Sequence, residues 1–262
     1  MTLNPVRRGG QPFSGHALEV WLRSPRGRRM LEIEDREMRR LLPEVFGRHV
    51  LQVGNWGREG ELLASAETLH RAVLGTVDDR AAAAVVDPEH LPIETRSVDA
   101  VVLPHTLEFA HSPHNVLREV DRVLSDRGRL FVLGFNPWGW WAIRRLLGLR
   151  YRPFPEGARF YSVGRLFDWL ELLDFEVAEV RRFGTGFPWQ APRSLGEPWT
   201  LATLLAPFAD GYVLVAKKRV IPVSLVGRLQ RAQVRPLVGM PSPAASRDTL
   251  FSGPATELPH PE

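Results

Sequence analysis

Cysteine is absent from all 262 residues. That absence excludes a disulfide framework, a thiolate nucleophile and any zinc site built on cysteine, and it suits a reducing, cytoplasmic setting. Lysine is nearly missing too: Lys217 and Lys218 are the only two, so arginine carries almost all the basic charge. The isoelectric point of about 10.1 reflects that arginine content, because the formal net charge is only +4. Such a small imbalance does not imply a nucleic-acid partner, and none is predicted. No apolar run is long enough to span a bilayer without charges, and the opening MTLNPVRRGGQPFSG lacks the apolar core of a signal peptide. A soluble cytoplasmic protein is therefore expected. Several catalytic signatures are missing as well. The sequence has no Ser-His-Asp elbow and no carboxylate pair set out as an acid and base couple. The stretch GNWGREG (54–60) has the spacing G-x-x-G-x-x-G, which departs from the dinucleotide fingerprint.

What is present is enough apolar material, 44% of the residues, for a real core. SPRGRRMLEIEDREMRRLLPEVFG (24–47) reads as a helix capped by Ser24, with Pro25 in its first turn, Pro43 near its end, and Leu31, Met38, Leu41, Leu42 and Val45 as an apolar stripe. HVLQVGNWGREGELL (49–63) reads as a strand, a glycine-punctuated turn and the start of a helix. The apolar runs HVLQV, RAVLG, AAAVV and DAVVL lack strict alternation and fit buried strands. SPHNVLREVDRVLSDRG (112–128) is the clearest helix, with a Ser112 cap, Pro113, apolar positions 116, 117, 120, 123 and 124, and a Gly128 stop. It leads into the strand RLFVLGF, and strand, helix and strand in that order imply a parallel crossover. A helix from Ser162 and the strands FEVAEV and YVLVAKK follow. The expected organisation is an N-terminal helical extension over 1–46, one α/β domain over 47–219 and a disordered basic tail over 220–262.

The run VVDPEHLPIETRSVDAVVLPHTLEFAHSPHNVLREVDRVLSDRGRLFVLGFNP (85–137) resembles the central block of the type 11 class I S-adenosylmethionine-dependent methyltransferases. Asp87, Leu91-Pro92, Val98-Asp99, Leu107-Glu108 and Gly128 carry the likeness. The resemblance implies a doubly wound, mostly parallel seven-stranded Rossmann-like sheet, S-adenosyl-L-methionine as cofactor, and a site at the tips of the first four strands. It also implies a set of cofactor-binding residues: Gln52 in the place of a usual acid, Gly54 and Gly57 in the loop, Asp87 toward adenine, and His105 near the methyl group. Each has an alternative. Asp87 suits a turn cap before Pro88 equally well. His105 can line the pocket or act as a base. Trp56 stands where the family has a second glycine, so its indole either fills the cofactor site or forces the loop elsewhere. The link from Gly75 to Ala82 leaves no room for a helical crossover. Asp78 or Asp79 is then a ribose contact or a plain turn former.

His105, His111 and His114 have no accompanying carboxylate spacing, and no metal site is predicted. Methyl transfer from a sulfonium needs alignment more than acid-base groups, and no catalytic residue is assigned. Trp138, Trp140 and Trp141, beside a run of arginines, suit the walls of a pocket for an apolar small-molecule acceptor, plain packing, or a peripheral membrane contact. The expected function is methyl transfer to such an acceptor. The alternative is a non-catalytic descendant of the fold that binds or scaffolds.

Overall fold

The computed structural model describes residues 20–57, 60–76, 82–139, 158–184, 193–194 and 209–219. Helix α1 (Pro25–Leu41) starts as the sequence predicts: the Gly27 N–H donates to the Ser24 hydroxyl at 3.1 Å, and Pro25 sits in the first turn, where a missing N–H leaves nothing unpaired. Pro43 falls in the 3-10 turn Leu42–Glu44 that ends it. The buried face differs from the expected stripe. It carries Met30, Ile33, Met38 and Leu41, with Leu31 only partly covered, and it includes the charged Glu34 and Glu37.

Strands β1 (His49–Val53), β2 (His70–Gly75), β3 (Ala84–Val85), β4 (Val98–Pro104), β5 (Leu124–Phe135), β6 (Phe175–Gly184), β7 (Arg193–Ser194) and β8 (Gly211–Lys218) form one sheet in the order β3-β2-β1-β4-β5-β8-β6-β7. Strands β1 to β5 pair in parallel, while β8 runs antiparallel to both β5 and β6. This is the doubly wound sheet of seven strands expected from the sequence, with the two-residue β7 added at one edge. Helices α2 (Thr106–Phe109), α3 (Pro113–Val123) and α4 (Val163–Glu171) complete the described elements used below.

Alternate residues of the central strands point into two apolar layers, as the pleat requires. Leu51, Val101, Leu103, Leu130 and Val132 meet α3 and α4 on one face. Val50, Ala100, Val102, Phe131 and Leu133 meet α1 on the other. Helix α3 buries Val116, Leu117, Val120 and Val123 at helical spacing. Its expected Ser112 side-chain cap is not made; Glu89 instead accepts from the Ser112 N–H at 2.6 Å.

Two expectations are corrected. The loop after β1 does not lead into a helix: a 3-10 turn, Glu61–Leu63, is the only helical element described between β1 and β2. The residues between these strands must hold the glycine loop and still return to the start of β2, so α1, which precedes β1, covers that face and packs on Leu62 and Leu63. The run AAAVV supplies only the two residues of β3, paired in parallel with Leu74 and Gly75 at the sheet edge. The tail over 220–262, Asp78, Asp79, Trp140 and Trp141 lie outside the described residues.

Gly134 in β5 is opposite Tyr212, whose hydroxyl donates to the Tyr161 carbonyl at 2.9 Å. A Cβ on residue 134 would stand 2.4 Å from that hydroxyl oxygen and 2.5 Å from its ring carbon. Gly134→Ala is therefore expected to cost about 1–3 kcal/mol through overpacking, read as a lower urea midpoint.

Candidate active site

Between β1 and β4 the strand order reverses, and there a crevice opens at the carboxyl ends of the parallel strands. Its walls include Gly54, Trp56, Thr76, Asp87, His105 and Phe109, and it holds about 440 Å³, within the range of small-ligand pockets. Hydrogen bonds fix the shape of the first loop. Gly54, at φ +116°, donates its N–H to Leu74 O at 2.8 Å. The Asn55 side chain accepts from Thr76 N at 2.6 Å, joining the tips of β1 and β2. Thr106 donates its hydroxyl to the Val53 carbonyl, and a Cβ on residue 54 would lie 2.6 Å from that hydroxyl, so only glycine fits there.

The indole of Trp56 does not fill the crevice. Its ring is 2% exposed and turned into the layer beneath α1, with centroids 4.0 Å from His105, 5.5 Å from Trp21 and 5.9 Å from Phe135. Trp56 Nε1 donates to Glu34 Oε2 at 2.5 Å. Glu34 Oε1 also meets His105 Nε2 at 2.7 Å, and Glu108 Oε2 meets His105 Nδ1 at 2.7 Å. The remaining oxygen of Glu108 accepts from Phe135 N at 2.6 Å. All three titratable side chains are buried. Burial disfavours the imidazolium, but the charges of Glu108 and Glu34 outweigh it and raise His105 from its ordinary 6.5 to about 9. Burial also lifts the Glu108 carboxyl above its usual range, although His105 and the Phe135 N–H oppose the shift.

The sequence-predicted residues separate at this point. Gly54, Asp87 and His105 reach the crevice, while Gln52 and Gly57 are not among its lining residues. Gln52 is buried and donates its amide to the carbonyls of Gly54 at 3.0 Å and Trp56 at 2.8 Å, leaving its Oε1 without a partner among the described residues. It therefore braces the loop from behind. Asp87 makes the expected turn, accepting from Glu89 N at 2.9 Å, and it also pairs with His90 at 2.9 Å on the crevice rim. Burial pushes its carboxyl up, yet those bonds hold it below the usual value. The base role for His105 is corrected: both ring nitrogens are bonded to carboxylates, so neither is open to a substrate proton. His114 packs against Trp169 with the rings tilted by 54°, and among the described residues no group of His, Asp or Glu could hold a metal. Glu34 lies outside the expected set, and Glu108 enters it only as part of the family motif; both hold the His105 ring behind the crevice. The visible signal was Glu34 one residue after Ile33 and four after Met30, a charge on an apolar face.

A doubly wound sheet with an antiparallel strand inserted beside β5 and a crevice at the reversal of strand order defines the class I methyltransferase fold. Residues 61–132 match the family described as a methyltransferase domain, a match that begins just past the first loop. The chain is 32% identical over 209 residues to the uncharacterized protein YafS of Escherichia coli K12, covering 80% of this chain and 84% of that one. It is 31% identical over 99 residues, 36% of each chain, to a protein of Rubrivivax gelatinosus named ubiquinone/menaquinone biosynthesis C-methyltransferase UbiE. A Thermotoga maritima S-adenosylmethionine-dependent methyltransferase, described as a possible histamine N-methyltransferase, superposes with a TM-score of 0.59 at 19% identity, over 78% of this chain and 95% of that one. The chain belongs to the type 11 class I methyltransferase family, whose cofactor is S-adenosylmethionine. The residues present fit that cofactor: the crevice is large enough, the loop at Gly54 leaves backbone bare, and the indole that replaces a glycine is out of the way.

Trp56→Gly, which brings the loop nearer the family pattern, is expected to empty the layer under α1 and cost about 3–5 kcal/mol, measured by urea unfolding. A second expectation concerns pH. A group whose value rises on folding stabilises fully below its unfolded value, and that stability is lost as pH climbs through the folded one. Between pH 6.5 and about 9 the folded chain keeps a proton on His105 that the unfolded chain has released. Unfolding free energy should therefore fall by about 1.4 kcal/mol per pH unit over that window, checked by urea midpoints at a series of pH values.

Proposed function

We propose that this chain is an S-adenosylmethionine-dependent methyltransferase acting on an apolar small-molecule acceptor. The observation that carries this reading is the open crevice at the β1 and β4 tips despite Trp56. The bound cofactor would supply an activated methyl group, so the chain's task is to hold it, exclude water and align the acceptor. Gly54 offers bare backbone to the methionine portion, and Asp87 retains lone pairs for a donor on the adenine. Pro88, Phe109 and Ala110 give the crevice apolar walls. Trp138 is 71% exposed just past the end of β5, on the same edge of the sheet, where an apolar acceptor or the membrane surface carrying it would find an indole. No described side chain near the crevice needs to act as a base for this chemistry.

Among the described residues no helix is long and apolar enough to cross a membrane. We propose a cytoplasmic setting for the reaction, in keeping with the cysteine-free composition.

Calorimetric titration with S-adenosylhomocysteine tests the reading. Saturable heat is expected, with Asp87→Ala weakening binding roughly tenfold or more for the lost hydrogen bond to a charged group. Absence of heat at millimolar ligand would instead favour the non-catalytic, scaffolding alternative.

A further inference from the structure

Strand β5 ends at Phe135, and a hydrogen-bonded turn follows at the carboxyl edge of the sheet. Asn136 fastens that turn. Its N–H donates to the Asp210 carbonyl at 3.0 Å and its side-chain amide to the Ala209 carbonyl at 2.8 Å, while its Oδ1 accepts from the Trp138 N–H at 3.2 Å. The Gly139 N–H closes the turn on the Asn136 carbonyl at 3.0 Å. A fixed backbone thus presents Trp138 outward, and the residue is 71% exposed. It belongs neither to the crevice wall nor to either apolar layer. An indole held in water gains nothing from its large apolar surface until a partner with a dry layer covers it.

The chain leaves the described residues at Gly139 and rejoins them at Ala158. Both ends lie on the crevice side, because the Arg159 N–H donates at 2.9 Å to the carbonyl of Glu108 in α2, and Thr106 and Phe109 of that helix line the crevice. The residues between, 140–157, carry Arg144, Arg145, Arg150 and Arg152 with two more tryptophans, and no acid occurs from 127 through 155. Such a composition is complementary to a bilayer with negative headgroups: indoles settle at headgroup level, and each arginine near the surface contributes about 1 kcal/mol. A nucleic-acid duplex would meet the arginines yet leave the indoles in water. The crevice acids do not oppose a bilayer here. Asp87 and Glu89 follow β3, which stands four strand positions from β5 in the sheet order. At about 4.8 Å per strand that is about 19 Å, more than twice the Debye length of about 8 Å at physiological salt.

We propose that the carboxyl edge of the sheet around Trp138 docks on an anionic bilayer, with the arginines of the stretch that follows as the charged part of the contact. The crevice then opens beside the membrane. The acceptor is accordingly a lipid-soluble molecule that enters from the bilayer, a step that rests on the methyltransferase reading.

Flotation of the full chain compares vesicles of phosphatidylcholine alone with vesicles of phosphatidylcholine and phosphatidylglycerol. The protein is expected to float with the mixed vesicles, to stay in the soluble fraction with the neutral ones, and to be released by high salt. Arg144→Gln, Arg145→Gln, Arg150→Gln and Arg152→Gln together should lower partition onto the mixed vesicles at least about a hundredfold. Trp138→Ala should lower it roughly tenfold, because an inserting indole sheds water from its exposed face. Circular dichroism checks that the variants fold, and the wild-type comparison decides the matter without them if they do not. The proposal is overturned by wild type that stays soluble with mixed vesicles, that floats equally with neutral ones, or that is captured by duplex DNA while failing to float. A folded variant of either kind that floats like the parent overturns it too. Calorimetric heat with S-adenosylhomocysteine but no flotation removes this proposal alone, whereas flotation without that heat keeps the docking surface and removes the methyltransferase reading.

Discussion

The buried hydrogen-bonded array of Glu34, His105, Glu108 and Trp56 is the constraint on which the site depends. It joins α1, the β1 loop, the tip of β4 and the end of β5 through contacts of 2.5–2.7 Å. Ionic groups in an apolar layer are stable only when every polar atom has a partner, and loss of one partner leaves a charge stranded. The array is complete in that sense, so it specifies one loop geometry where a purely apolar contact would tolerate several. His105 is itself held at φ +55°, a left-handed conformation uncommon outside glycine, and its two carboxylate bonds account for its persistence.

The helix before β1 does double duty. The sequence predicts a helix after the β1 loop; the described residues between β1 and β2 form only a 3-10 turn, and α1 covers that sheet face instead. The same helix delivers Glu34 to the indole that displaced a glycine. The 3-10 turn in place of the expected helix and the indole in place of a glycine are thus physically coupled. A large aromatic side chain in the loop needs a dry layer to enter and an acceptor for its N–H, and α1 provides both.

On the opposite face the arrangement is conventional. Arg122 binds Glu119 and the carbonyls of Leu91 and Ile93, pinning the segment after Asp87 against α3. Glu89 supplies the acceptor that Ser112 does not. The adenine side of the crevice is therefore built from short-range turns fastened to one amphipathic helix, whereas the loop side depends on contacts between residues 22 and 71 positions apart in the chain.

That difference in range explains what was legible. Helices α1, α3 and α4, the buried strands and the doubly wound order follow from local periodicity and crossover rules, and Asp87, Gly54 and His105 reach the crevice because they sit at strand tips. The sequence by itself determined most of the elements, the family and the place of the crevice, since each rests on residues close together in the chain or on a parallel crossover rule, but not the 3-10 turn after β1 or the two-residue β3. Only the tertiary structure decided where the Trp56 ring goes, that Gln52 braces the loop from behind, that both ring nitrogens of His105 are held by buried carboxylates, and that α1 covers the sheet face beside β1. The physical reason is that the direction of a side chain in a glycine loop depends on which distant surface offers it a dry layer and a hydrogen-bond acceptor, and no spacing along the chain records that.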